Sequence, residues 1–258
     1  MSYSTIKLDR HPYAVIVTID RIAQRNSINA ALLSDLHQLL DEVERDVDCK
    51  IIVLQGQQGF FCTGMDFEAM VADNEAAQDN VAESAAYMRL LHRFATLPRI
   101  VIAKVEGTAM AGGIGLVAAS DLVIATPNSQ FSLSEALWGL LPCCVLPYLI
   151  RRIGFQAAYR LTLTTQAIDG KEAQRVQLVD ELTEQPDDIL RRLLLRLSRL
   201  EVQTLHDMKA YFRRLWFVDE AMEKVAVEEI SRLTQTPQVQ ENIENFVKHQ
   251  RFPWDKGA

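Results

Sequence analysis

The chain of 258 residues is 48% hydrophobic and 24% charged, which is typical of a soluble globular protein, and its formal net charge is −7. Its length suffices for one large core or two modest ones. The negative charge argues against a nucleic-acid surface, and no apolar run approaches the roughly 20 residues that a membrane-spanning helix needs.

Predicted strands and helices alternate through the first half of the chain. Residues 13–20 are rich in β-branched side chains and predict a strand. Asn29 is placed to cap a helix that runs to about Asp46 and carries leucines along one face. Further strands are predicted at 51–54, 99–105 and 122–125, helices at 87–97 and 112–120, and a mobile polar stretch at 72–84.

The second half of the chain is predicted to be helical almost throughout. Strand–helix alternation followed by helices favours an α/β fold with a parallel sheet. We place an α/β core in residues 1–195 and a helical C-terminal region in residues 196–258. Its amphipathic helices must bury their apolar stripes on the core, on each other or on another subunit. The helices predicted here are 187–200, 202–214, 219–233 and 238–247.

The four cysteines have no CxxC spacing. They are expected to be reduced thiols that pack as small apolar residues, and no metal site is predicted. The N-terminus lacks the apolar stretch of a secretory signal, so the cytoplasm is the expected location. Basic residues cluster at 151–152 and 209–214. The simplest interpretation is that these residues lie on solvent-exposed helix faces. The alternative is that they form a binding surface for a phosphorylated or acidic partner.

Two glycine-containing loops each follow a predicted strand and lead into a helix. They are residues 60–67 (FFCTGMDF) and 106–115 (EGTAMAGGIG). Glycine permits sharp turns and close approach of a ligand, and free N–H groups at a helix start favour negative charge. Two such groups aimed at one point would form an oxyanion hole. Taken singly, each loop is a weak signal, because glycine turns between a strand and a helix are common in proteins. Neither loop has the glycine pattern of a dinucleotide or P-loop site.

Several segments in order resemble the crotonase (enoyl-CoA hydratase/isomerase) superfamily. FFCTGMDFEAM is similar to the first oxyanion loop of this family, and EGTAMAGGIGLVAASDLVIAT is similar to the second. SQFSLSEALWGLLP and RNSINAALLSDLHQLLDEVE are similar to two other family segments. The resemblance covers about residues 13–155 closely and the rest more loosely. It implies a crotonase-like ββα spiral core with a helical C-terminal trimerisation region.

By this resemblance, the backbone N–H groups of Met65 and Gly112 form an oxyanion hole that stabilises the enolate of an acyl thioester. Hydratases of the family typically use two glutamates. Gly115 stands at the position of one and Glu135 at the position of the other. Glu135 is therefore the expected acid/base residue, and an apolar pocket would raise its pKa. The plain alternative is an exposed glutamate at a helix start.

Three further residues are candidate catalytic groups. Asp66 follows the first oxyanion residue directly, and an acidic residue there is more often structural, capping the next helix. Tyr87 and His92 lie on a helix that is expected to roof the pocket, where either could supply a proton. Their spacing puts them on different stripes of that helix, and a lone histidine is usually not catalytic.

The resemblance also implies how the acyl group is carried and how many subunits assemble. Arg25, Lys248 and His249 fall where family members contact the phosphates of the acyl carrier, although plain surface charges explain them equally well. No metal or redox cofactor is implied, because the acyl group travels as a phosphopantetheine or coenzyme A thioester. A homotrimer or hexamer is expected, with C-terminal helices lying over a neighbouring subunit.

Finer similarities in RNSIN, FCTGMDFE and LWGLLPCCVLPYLIRRIGF favour the dehydratase of polyketide β-branching cassettes. That enzyme converts a 3-hydroxy-3-methylglutaryl thioester on an acyl carrier protein to the 3-methylglutaconyl thioester. Glu135 favours it over the cassette's decarboxylase, because decarboxylation needs no carboxylate base. A Δ3,Δ2-enoyl-CoA isomerase, that decarboxylase and a non-catalytic scaffold that binds acyl thioesters stay open as alternatives.

Overall fold

The computed structural model describes residues 3–72, 76–216 and 219–255. Within these residues ten strands form two sheets, one of six strands and one of four. The strands are β1 (Ile6–His11), β2 (Ala14–Ile19), β3 (Ile51–Gln55), β4 (Phe60–Cys62), β5 (Ile100–Val105), β6 (Thr108–Met110), β7 (Leu122–Ala125), β8 (Gln130–Ser132), β9 (Ile168–Asp169) and β10 (Glu181–Leu182).

Eleven α-helices and two short 3₁₀ helices complete the described part of the chain. They are α1 (Ala30–Arg45), α2 (Phe67–Ala72), α3 (Ala76–Thr96), α4 (Gly112–Ala119), α5 (Leu146–Ile153), α6 (Phe155–Thr164), α7 (Gly170–Arg175), α8 (Pro186–Leu197), α9 (Val202–Arg214), α10 (Glu220–Thr234) and α11 (Pro237–His249), with 3₁₀ helices at Ile22–Gln24 and Glu135–Trp138.

From β3 to β8 the chain places successive strands in alternate sheets, and β9 then joins β8 in the smaller sheet. The larger sheet has the order β1-β2-β3-β5-β7-β10 and the smaller sheet the order β4-β6-β8-β9. The pairs β3–β4, β5–β6 and β7–β8 are each divided between the two sheets, and a helical segment follows each pair. The strands that neighbour each other from β2 to β7 in the larger sheet are parallel. This arrangement is a ββα spiral.

Local sequence signals account for the longest elements. The Asn29 side chain caps α1 by accepting from Leu32 N at 3.0 Å, and the apolar face predicted for this helix is buried. Strands β3 and β5 are almost wholly buried, as expected for parallel strands covered on both faces. The stretch 72–84, predicted to be mobile, is helical from Ala76 onward, and residues 73–75 lie outside the described residues.

The C-terminal helices pack on the core of their own chain. Leu190 of α8 and Leu205 of α9 join one buried cluster with the apolar residues of β3 and β5. The predicted boundary after residue 195 falls inside α8, and the helices on either side of it cover the same sheet. Helix α10 packs on α3, and α11 packs on α2 and the second 3₁₀ helix, so these helices cover their own subunit.

The described residues contain neither a cluster of metal-ligating side chains nor a helix that could span a membrane. No group of three or more His, Cys, Asp or Glu side chains in the described ranges is arranged to hold a metal ion. No helix within these ranges combines the length and apolarity needed to cross a bilayer. All four cysteines are free thiols.

Candidate active site

The two glycine loops meet where β4 and β6 end. These strands pair in parallel, which places the loops that follow them side by side. A Cβ added to Gly64 would lie 2.7 Å from Ala111 Cβ and 3.2 Å from Gly112 N. Position 64 also has a φ of 88°, which favours glycine. The close approach of the loops therefore depends on glycine at this position.

At this junction the backbone N–H groups of Met65 and Gly112 have no acceptor among the described residues. Met65 and Ile28 form an isolated parallel β-bridge. The residues on either side of Met65 make its hydrogen bonds: Ile28 N donates to Gly64 O, and Asp66 N donates to Ile28 O. The Met65 N–H therefore faces away from Ile28. Gly112 is the first residue of α4, so its N–H has no acceptor within the helix. Among the described residues neither N–H donates a hydrogen bond, and both residues line one cavity.

The turn into α4 has an unusual backbone. Ala111 has φ of 47° and ψ of −120°, a conformation that residues with a Cβ rarely adopt. Its N–H donates to Ser132 O at 2.9 Å, which ties the turn to β8. Such strained residues cluster at functional sites, where the surrounding structure holds them in place. Here the strained turn places the N-terminus of α4 at the cavity. The dipole of the helix makes that end favourable for negative charge.

A cavity of about 630 Å³ opens beside the two N–H groups. This volume suits a small organic ligand. Trp138 closes one side with edge-on contacts to Phe67 and Phe246, at ring-centroid distances of 5.2 and 5.1 Å. Phe246 belongs to α11, and Gln250 and Phe252 beyond it also line the cavity. The C-terminal segment therefore helps to form the cavity of its own chain.

Glu135 begins the second 3₁₀ helix, and its carboxyl is enclosed in the cavity wall. Oε2 is buried and has no hydrogen-bond partner among the described residues. Burial raises the pKa of Glu135 to about 7, although the backbone amides of Glu135 and Ser134 act to lower it. The next two side chains, Ala136 and Leu137, are exposed, so other elements enclose the carboxyl. Both protonation states are available near neutral pH, which suits proton transfer.

Tyr87 extends from α3 to the start of α4. Its hydroxyl donates to Gly112 O at 2.5 Å, and a Cβ added to Gly115 would lie only 1.9 Å from Oη. The side chain is 4% exposed and lines the cavity. Burial, assisted by the nearby Cys144 and other groups, raises the pKa of Tyr87 well above its ordinary value. Tyr87 is therefore a protonated phenol at the cavity wall.

Asp66 has a set of structural partners. Its carboxylate accepts from Arg21 at 2.6 Å and from Ser27 Oγ at 3.0 Å, and it caps α2 by accepting from Ala69 N at 3.2 Å. The Arg21 and Asp66 side chains are 12% and 9% exposed. These contacts support the structural interpretation, although Asp66 also lines the cavity.

We expect Asp66→Ala to lower the free energy of unfolding by about 3–5 kcal/mol, because it leaves Arg21 buried without its partner. Urea denaturation measures this directly. The control is Asp188→Ala, which removes an exposed pair with Arg191 and should cost less than about 1 kcal/mol. Equal stability losses in the two variants would contradict a structural role for Asp66.

The remaining candidates lie at different distances from the cavity. His92 Nδ1 pairs with Glu223 of α10 at 2.8 Å, and His92 is not among the described residues that line the cavity. Arg25 does line it, with its guanidinium carbon 5.7 Å from the centroid of the Phe60 ring. Lys248 and His249 are exposed in the last turn of α11, where Lys248 pairs with Glu244. The structure thus brings together Met65, Gly112, Glu135, Tyr87, Asp66 and Arg25.

Sequence reasoning missed part of the lining. Cys143 and Cys144 both line the cavity, and burial raises their pKa values to about 11 and about 12, so they stay protonated thiols. The aromatic wall from the C-terminal segment was also missed. No local motif identifies these residues, because only the tertiary packing of α11 brings them to the cavity.

Three comparisons relate the chain to known proteins. The family model for enoyl-CoA hydratase/isomerase matches residues 12–257. The bacillaene synthase dehydratase PksH of Bacillus subtilis is 33% identical over 255 residues, which cover 99% of this chain and 98% of PksH. A crystal structure described as a polyketide biosynthesis enoyl-CoA hydratase (pksH) from Bacillus subtilis superposes with a TM-score of 0.89 over 98% of this chain and 100% of that one.

An enoyl-CoA hydratase from Mycobacterium avium, 27% identical, superposes with a TM-score of 0.84 over 97% of this chain and 98% of that one. The comparisons confirm the predicted crotonase-like fold and the predicted class, a lyase of the hydratase/isomerase type. The chain therefore belongs to the enoyl-CoA hydratase/isomerase family.

Proposed function

We propose that this enzyme dehydrates a 3-hydroxy-3-methylglutaryl thioester, carried on an acyl carrier protein, to the 3-methylglutaconyl thioester in polyketide β-branching. A polyketide dehydratase or hydratase-like role follows from the named relatives. The observation that carries the finer proposal is the enclosed carboxyl of Glu135 in the same cavity as the backbone N–H groups of Met65 and Gly112, which have no acceptor among the described residues.

In the proposed reaction, the thioester oxygen accepts hydrogen bonds from the N–H groups of Met65 and Gly112. The Glu135 carboxylate takes the C2 proton, and the electron pair moves onto the thioester oxygen as an enolate. The enolate then collapses, the C2–C3 double bond forms and the C3–O bond breaks. Glu135 returns its proton to the departing oxygen, so one water leaves and the carboxylate is restored. Each N–H donor typically lowers such a barrier by about 2.7–4 kcal/mol.

The state of Glu135 supports a reaction with proton transfer. A pKa of about 7 lets this carboxyl act first as base and then as acid near neutral pH. A decarboxylase would need no such group, and a buried carboxylate would repel the departing carboxylate of its substrate. A Δ3,Δ2-enoyl-CoA isomerase could use the same carboxyl, so the choice between these two reactions rests on the named dehydratase relative.

We also propose that Arg25, Lys248 and His249 contact the phosphopantetheine phosphate or the acidic carrier protein. Arg25 lines the cavity. Lys248 and His249 end α11 directly before Gln250, which also lines it. The phosphopantetheine arm would therefore enter between the loop that carries Arg25 and the end of α11.

A homotrimer or hexamer in the cytoplasm completes the proposal. Helix α6 exposes Phe155, Tyr159 and Leu163, which are spaced four residues apart and form one apolar stripe. Helix α9 exposes Tyr211 and Phe212. Exposed apolar stripes of this kind mark subunit interfaces, and native mass spectrometry would give the number of subunits.

Intact mass spectrometry of a loaded carrier protein tests the reaction. The carrier protein is loaded with 3-hydroxy-3-methylglutaryl phosphopantetheine and weighed before and after adding the enzyme. We expect the loss of one water, and a parallel reaction with the coenzyme A thioester ranks the two carriers. Loss of carbon dioxide from the dehydrated thioester would instead identify a decarboxylase. No mass change with either thioester would refute the proposal and direct the search to isomerase substrates and then to a binding scaffold.

A further inference from the structure

Glu135 and Trp138 are the first and last residues of one 3₁₀ helix. Such a helix has three residues per turn, so side chains three positions apart lie on the same side of it. Trp138 is 7% exposed and lines the same cavity as Glu135. Leu140 N closes the end of the helix by donating to Glu135 O at 3.0 Å. The orientation of this single short helix therefore sets where the Glu135 carboxyl lies.

Helix α11 presents one stripe of side chains to the 3₁₀ helix. Val239, Asn242 and Phe246 are spaced three and four residues apart, so they are neighbours on one face of α11. A Cβ added to Gly139 would lie 3.1 Å from Val239 Cγ2. Asn242 Nδ2 donates to Trp138 O at 3.2 Å, and the Phe246 ring meets the Trp138 ring edge-on at 5.1 Å. These successive contacts fix both the position and the rotation of the 3₁₀ helix.

Other aromatic rings hold Trp138 from further sides. Phe67 of α2 meets it edge-on at a centroid distance of 5.2 Å. Phe252 and Trp254 follow α11, stack on each other at 4.9 Å and lie 6.1 and 6.4 Å from the Trp138 ring. The 3₁₀ helix is thus clamped in an apolar wall that limits the access of water to it.

We infer that α11 is a positioning element for the acid/base residue, in which Asn242 holds the 3₁₀ helix so that the Glu135 carboxyl keeps its place in the cavity wall. The inference deepens the proposed dehydration and rests on it, since Glu135 is the group that moves the proton there. Asn242 is not among the described residues that line the cavity. It therefore acts through its hydrogen bond to Trp138 O and not on the substrate.

The first measurement is the rate of Asn242→Ala with the 3-hydroxy-3-methylglutaryl thioester. Loss of the hydrogen bond lets the 3₁₀ helix shift, and a misplacement of about 1 Å can cost on the order of 100-fold in rate. We expect kcat to fall about 10- to 100-fold and KM to change little, because the substituted side chain does not line the cavity.

The pKa of Glu135 is a second measurement, and it needs no turnover. Carboxyl ¹³C NMR of protein labelled in its glutamate side chains follows the titration, and Glu135→Gln identifies the signal by its loss. Burial raises this pKa to about 7, so a looser helix that admits water should let the pKa of Glu135 fall toward its ordinary 4.5. A purely structural role for Asn242 would lower the melting temperature and leave the pKa of Glu135 in the folded protein unchanged.

Two further variants on α11 complete the test. Gln240→Ala removes an exposed amide from the same helix and should leave kcat, KM and the pKa of Glu135 unchanged. Val239 is 2% exposed and is also absent from the described cavity lining. Val239→Ala removes its contact with Gly139 and should change kcat and the pKa in the same direction as Asn242→Ala. If Asn242→Ala does not fold, the result for Val239→Ala decides.

A folded Asn242→Ala protein whose Glu135 pKa equals that of wild type would overturn the inference, whatever its rate. The proposed function fails separately, if wild type dehydrates neither the carrier-protein thioester nor the coenzyme A thioester. The NMR titration still decides in that case whether α11 controls the surroundings of Glu135.

Discussion

Replacement of Glu135 by glutamine is expected to slow dehydration by about 10²- to 10⁴-fold, the usual contribution of a positioned acid/base group. Glutamine keeps the shape of the side chain and cannot take the C2 proton. In wild type, kcat/KM should rise with pH and level off above an apparent pKa near 7, because the carboxylate form starts the reaction. Stopped assays by intact mass over a series of pH values measure both effects.

The same substitution should stabilise the fold in alkaline solution. The pKa of Glu135 is raised from 4.5 to about 7 in the folded state, so the folded protein holds this proton more tightly than the unfolded chain does. As pH rises from 4.5 to 7, the unfolded state loses its proton first, and the free energy of unfolding falls by about 3 kcal/mol. Glutamine does not titrate and escapes this loss.

Urea denaturation at pH 5 and pH 8 should therefore show Glu135→Gln gaining stability relative to wild type between the two values. Glu241→Gln, at an exposed position on α11, is the matched control and should leave both rate and stability unchanged. A rate for Glu135→Gln within threefold of wild type would refute the acid/base assignment. A stability difference that does not depend on pH would refute the raised pKa.

Gly64→Ala is expected to reduce kcat by about 10²- to 10³-fold, the typical cost of losing one oxyanion donor. The new Cβ would lie 2.7 Å from Ala111 Cβ and 3.2 Å from Gly112 N, so it would push the two loops apart. The N–H groups of Met65 and Gly112 would no longer converge on one oxygen. The chemical step should suffer more than substrate binding, because these contacts strengthen as the enolate forms.

Gly59→Ala separates this effect from backbone strain. Gly59 has a φ of 81°, close to the 88° of Gly64, but a Cβ there would meet nothing within 4 Å. Both variants should lose stability from the unfavourable backbone, Gly64→Ala more so because of its close contact with Ala111, and only Gly64→Ala should lose activity. Steady-state kinetics together with thermal denaturation of both variants provide the comparison, and parallel activity losses would contradict our account of the oxyanion site.

The sequence predicts the long elements of this fold well and the smaller sheet poorly. Helix α1 has a cap and six apolar positions on one face, so its period is visible. Strands β4, β6 and β8 have three residues each, too few for a periodic pattern. Strand β1 is an edge strand in which four of the six residues are exposed and three are charged. Pairing with strands elsewhere along the chain defines β4, β6 and β8, and that pairing is a tertiary property.

The candidate site likewise has residues that the sequence predicts and contacts that it does not. Met65, Gly112 and Glu135 lie in contiguous motifs, so the resemblance located them, and the structure places all three at one cavity. The Tyr87 contact with Gly112 and the space above Gly115 depend on how α3 crosses α4, which no local pattern encodes.

Charge was equally hard to interpret from sequence. Arg152, predicted to lie on a solvated face or a docking surface, has a side chain that is only 9% exposed. Its guanidinium donates to the carbonyl oxygens of Leu178 and Ser120 and pairs with Asp180. Sequence gives the sign of a side chain's charge but not the partners that allow its burial.

Division of consecutive strands between two sheets has a consequence for how the protein folds. Ile51 pairs with Ile100, and Phe60 pairs with Thr108, so each sheet joins segments that are far apart along the chain. Such a high contact order slows folding, since long loops must close before their contacts form. The oxyanion donors lie on either side of one such closure. No early, partly folded fragment can hold a complete site, and catalytic competence should appear only in the last kinetic phase of refolding.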